Sequence, residues 1–153
     1  MKRKLSWSIF LALIGIFAVI ISIFFSATSI PAFRGSIFLW FIISFGTVFF
    51  LLGVALIFLT VKEKVEGMLK KFQLLTGASA VGIFASILLH NAVYALCIHF
   101  FGTDFWNGGD ESFFFIMAVI VCPIGFLVGT VGSIVLAIKN LRMARKSLQP
   151  PVI

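Results

Sequence analysis

The chain has 153 residues, 61% of them hydrophobic and 11% charged, with a net charge of +7. A soluble domain carries roughly 25% charged residues, so this chain lacks the polar surface to cover itself in water. Its basic residues stand in short clusters beside long apolar runs rather than among aromatics on a polar face. That arrangement argues against nucleic acid and for a lipid bilayer as the partner.

Four runs are long enough to span the hydrocarbon core, which takes about 20 apolar residues in a helix. Lipid offers no partner to a free backbone N–H or C=O, so each run is expected to be helical. The first, Leu5 to Phe25, follows Lys2, Arg3 and Lys4. A basic start and an apolar run also describe a signal peptide, and Ala27-Thr28-Ser29 resembles a cleavage site. The run exceeds the roughly 7–15 apolar residues of a signal sequence, which favours a retained span. Pro31 and Gly35 then break the helix.

The second run, Ser36 to Val61, carries no charge. Gly46 and Gly53 lie seven residues apart on one of its faces. Between it and the third run lies a charged segment, Lys62 to Gln73. There Val61, Val65, Met68, Leu69 and Phe72 recur on one helical face, with Lys62, Glu63, Lys64, Glu66, Lys70 and Lys71 around the rest. The pattern fits a short amphipathic helix in the membrane interface, or an extension of either neighbouring span, with Gly67 weakening both.

The third run, Leu74 to Phe101, holds the most polar patch of the four: Ser86, His90, Asn91 and Tyr94, with Cys97 beyond. Gly102 to Ser112 forms the next connector, marked by Gly108-Gly109. The fourth run, Phe113 to Ile138, contains Cys122 and Pro123. Counted from the shared connector, His90 lies about 16 Å and Cys122 about 14 Å into their helices, which suggests one common layer. Pro123 has no N–H for the carbonyl of Val119, and His90 or Asn91 is expected to satisfy it. Residues 139–153 form a basic tail with Lys139, Arg142, Arg145 and Lys146, ending near Pro150-Pro151.

The sequence therefore predicts an all-α membrane protein: one four-helix transmembrane bundle. Eleven of the 12 Lys and Arg residues fall on one side of it and only Arg34 on the other. By the positive-inside rule both termini are expected in the cytoplasm (N-in, C-in), and the Phe- and Ile-rich spans with tiny loops fit the inner membrane of a prokaryotic cell. The basic segments could meet anionic lipid at that cytoplasmic face.

Close helix contacts in lipid need small side chains. The third run offers Ala78, Gly82, Ser86, His90 and Tyr94 at every fourth position, and the fourth offers Gly125, Gly129 and Ser133. These rows are expected to face each other, or to serve a homo-oligomer or a contact with another membrane protein. An echo of Gly15-Ile16-Phe17-Ala18 in Gly82-Ile83-Phe84-Ala85 extends no further and reads as chance.

An ionisable group inside a span is the default functional candidate, and His90 is the one here. With neutral polar neighbours it reads first as a hydrogen-bonding group between helices, and second as a proton or ligand site. His99, Asp104, Asp110 and Glu111, with Trp106, make a small acidic cluster that could hold a hard cation but reads first as solvated loop. No GxSxG, HExxH, Walker loop or GxGxxG occurs, and two cysteines make no disulfide framework. No catalytic residue, metal or cofactor is called. The chain reads as a non-enzymatic structural or accessory component of a membrane assembly; the alternative is a small-molecule or proton-handling protein using the polar patch.

Overall fold

The computed structural model describes residues 3–29, 36–106, 109 and 111–147. Lys2, Pro31, Arg34, Gly35, Gly108, Asp110 and Pro150-Pro151, to which the sequence assigns roles, lie outside those residues. The described residues are helical apart from short connectors, and four helices are long and apolar enough to cross a membrane. These are α1 (Arg3–Ser29), α2 (Ser36–Lys62), α3 (Gly67–Phe101) and a fourth rod in three parts. The rod comprises α4 (Phe113–Ile116), a π-helical turn (Met117–Val121) and α5 (Cys122–Ser147). A 3₁₀ turn, Thr103–Trp106, sits in the last connector. Large apolar side chains such as Phe58, Leu88, Phe115 and Val131 are more than half exposed, as suits walls solvated by acyl chains.

The charged segment after α2 makes no separate amphipathic helix. α2 stops at Lys62, and α3 begins at Gly67, seven residues before the expected span. The stop has the two bonds of a Schellman turn: the N–H of Val65 reaches the carbonyl of Thr60 at 3.3 Å, and that of Lys64 reaches Val61 at 3.2 Å. Glycine usually takes the left-handed position of this turn, but here Lys64 does, at φ 50°. Val65 packs inward beneath it, 3% exposed. Gly67 takes φ 68° at the next bend, where a side chain would be strained.

α3 is the hub, packed between α2 and α5, while α1 lies against α2. α2 and α3 meet where a Cβ on Gly77 would stand 2.7 Å from Ile57 and 3.0 Å from the carbonyl of Gly53. α3 and the fourth rod meet in antiparallel register, with Gly82 against Cys122, Ser79 against Gly125, Thr76 against Gly129 and Phe72 against Gly132. A Cβ on Gly129 would lie 2.5 Å from Thr76 Oγ1 and 2.8 Å from its backbone nitrogen. The expected row on α5 is therefore in the interface. The expected row on α3 is only partly there: Gly82 takes part, but Ala78 is exposed, and Phe72, Thr76 and Ser79 supply the contact. Ser133 is fully buried.

α1 joins through aromatic rings. Phe17 lies 4.5 Å from Phe126 of α5 and 6.0 Å from Phe49 of α2, and Phe49 and Phe126 are 5.4 Å apart, centroid to centroid. Such pairs add about 0.5–1.5 kcal/mol each beyond their burial. Phe10, Leu13, Leu56 and Ala80 complete the buried core around them.

The register sets the two ends of the hub pair out of step. His90 lies opposite Phe115, ring centroids 5.8 Å apart, so the last eleven residues of α3 run about 16 Å past the level of Phe115 in α4. At the other end, Leu69 shares a groove with Ala137, so Lys139–Ser147 of α5 project beyond the start of α3.

Candidate functional site

The polar groups gather where the connector returns to the bundle. Because α3 overshoots, the described residues of the connector, 102–106, 109 and 111–112, lead back toward it. Gly102 begins the reversal at φ 88°, its N–H still donating to Ile98 at 2.9 Å. The 3₁₀ turn then lays Trp106 on Tyr94, with ring centroids 6.2 Å apart. At the end of this return Glu111 is buried against α3, 6% exposed.

Glu111 holds two helices at once. Its Oε1 accepts from the N–H of Phe113 at 2.8 Å, and its carboxylate also accepts from the N–H of Phe114 at 3.0–3.1 Å. These are among the unpaired donors at the first turn of α4. Its Oε2 meets Nδ1 of His90 at 3.2 Å, an ion pair whenever the imidazole is protonated. Burial works against the carboxylate charge. The N–H of Phe114, the His90 ring and the N–H of Phe113 outweigh it, and hold the Glu111 carboxyl below its ordinary range. Phe115 covers the imidazole.

The site corrects the sequence reading in several places. Glu111 leaves the expected acidic cluster to become the partner of His90. Asp104 and His99 stay exposed, His99 against Phe100. Asn91 donates to Ile87 of its own helix at 2.8 Å rather than to the fourth rod. Val119 lies within a π-helical turn. The backbone widens into the π turn, with the N–H of Cys122 bonded to Met117 five residues back, immediately before the ring of Pro123. That widening relieves the clash a proline makes one turn behind it.

Cys122 does not share the layer of His90. It sits on Gly82, eight residues or about 12 Å along α3. Counting both depths from the connector assumed that the helices end level, and they do not. Ser86 is buried one turn from His90. Tyr94 is half-buried under Trp106, so the patch that the structure assembles is Ser86, His90, Tyr94, Trp106 and Glu111.

A second polar group went unread in the sequence. Thr60 Oγ1 donates to Leu56 at 2.7 Å and lies 3.5 Å from Oε1 of Gln73. Gln73, Thr76 and Ser133 are fully buried, and Gln73 Nε2, Ser133 Oγ and Thr130 Oγ1 have no hydrogen-bond partner among the described residues. The available signal was an amide on the apolar face of Val65, Leu69 and Phe72. Among the described residues no group of three or more His, Cys, Asp or Glu side chains could hold a metal ion.

Fold and site together define an all-helical chain with four helices fit to cross a membrane and a His–Glu latch between two of them. The chain matches no protein-family model, no curated protein and no solved structure.

Proposed function

We propose that this is a non-enzymatic multi-pass protein of the prokaryotic inner membrane, acting as a structural or accessory component of a larger membrane assembly. The observation that carries the reading is the use made of its polar groups. Glu111 joins His90 to the first turn of α4, Asn91 closes on Ile87, and Gly125 and Gly129 press against Ser79 and Thr76. Glu111, His90 and the two glycines hold the chain's own helices together, and Asn91 is satisfied within α3. Placing both termini in the cytoplasm is supported by Lys62, Lys70, Lys71, Lys139 and Arg142 at one end of the bundle and Asp104 and Glu111 at the other.

The reading is tested by native electrophoresis of mildly solubilised source membranes, beside the purified chain reconstituted in vesicles. A complex well above the mass of the chain, retained in His90→Leu, is expected. The alternative, a proton- or small-molecule-handling role, draws on the titratable His90–Glu111 pair. A pH-driven flux into vesicles that vanishes in His90→Leu, with thermal stability kept, would overturn the accessory role in its favour. Reporter fusions at each terminus test the orientation separately.

A further inference from the structure

We propose that the basic end of α5 is a binding site for an anionic phospholipid, with the phosphate held between Lys139 and Arg142 and an acyl chain lying on Val135 and Ile138. A cleft of about 340 Å³ on this side of α5 is lined by Val135, Ile138, Lys139, Arg142 and Met143. The spacing places them on one helical face, apolar toward the bundle and cationic toward its end. Val135 is 56% and Ile138 45% exposed, so the floor is open to an acyl chain.

Charge supplies the occupant. From Ser112 to the last residue the sequence contains no Asp or Glu. Lys139 and Arg142 make no ion pair among the described residues. A second cluster at this end of the bundle differs, because there Glu63 and Glu66 stand among Lys62, Lys64, Lys70 and Lys71 and offset half of their charge. The register places Lys139 just past the start of α3, where the apolar run of α5 ends and headgroups begin. A groove on the other flank of α5, lined by Trp7, Leu69, Ala137, Asn140, Leu141 and Ala144, has apolar walls but no cation among them. The phosphate therefore belongs on the Lys139 side. The assignment does not depend on which side of the membrane this end faces.

The test is native mass spectrometry of the full chain released from nanodiscs of equal phosphatidylglycerol and phosphatidylcholine. The wild type is expected to retain phosphatidylglycerol preferentially, and the preference to fall about fivefold for each charge removed in Lys139→Gln/Arg142→Gln. Lys70→Gln/Lys71→Gln is expected to keep it, and the charge-preserving exchange Lys139→Arg/Arg142→Lys to restore most of it. Undiminished preference in the first variant, or equal loss in the first two, would overturn the site, the latter by showing diffuse attraction to the whole basic end. Thermal unfolding of the wild type in detergent gives a readout free of any variant: added phosphatidylglycerol should raise the midpoint and phosphatidylcholine should not. Equal shifts with both lipids would also overturn the proposal.

Discussion

Glu111 shows how one carboxylate can fasten two helices, and its titration should be visible in stability. Its folded-state pKa is lowered, so its contribution is fully present above the unfolded value. That contribution is lost as pH falls through the lowered folded value, in the acid region below the ordinary carboxylate range. Thermal scans of detergent-solubilised protein should therefore show a falling acid limb that flattens in Glu111→Gln. Gln73 presents the opposite case. Its amide nitrogen is buried without a partner, and Thr60 keeps its own bond to Leu56 if the glutamine is removed. Gln73→Met is expected to raise stability by about 1 kcal/mol, measured by the same unfolding. His90 was legible in the sequence because a lone ionisable group stands out in an apolar helix. Its partner was not, because an acid in a polar connector reads as solvated until the overshoot of α3 brings the chain back onto it.

At the scale of helices, lipid leaves the backbone one choice, so all four spans could be read from composition. The turn after α2 could not, since Lys64 stands where glycine normally signals the stop. Lys64→Gly should relieve the left-handed strain and stabilise the protein by about 1 kcal/mol in denaturation measurements. The small-residue row on α5 was legible and that on α3 only in part, through Gly82. α3 carries small residues on several faces, and spacing alone cannot choose among them; the bulk of Phe72 filling the space beside Gly132 helps to decide. Gly129→Leu should cost about 1–3 kcal/mol or more, because its Cβ meets backbone as well as a side chain. Gly15→Ala has nothing within 4 Å of the new Cβ and should gain up to about 1 kcal/mol from helix propensity. Unfolding of both variants side by side would separate packing from propensity.

For the whole molecule, the stagger between α3 and the fourth rod was hidden from the sequence, because run lengths say nothing of relative height. The height follows from the register of the glycine contacts, which carries α3 outward at one end and α5 at the other. The apolar run of α3, Leu74 to Phe101, is about 42 Å long, against a hydrocarbon core about 30 Å thick. Its far end remains apolar, with Leu96, Phe100 and Phe101 more than half exposed. The greasy belt of the protein is therefore a ramp, taller along α3 than along α1. A bilayer of uniform thickness cannot match both sides, and must thicken locally, tilt the molecule or bring another protein against the tall edge. Lengthening the acyl chains of the host lipid should accordingly raise the unfolding temperature, making membrane thickness a variable in the stability of this fold.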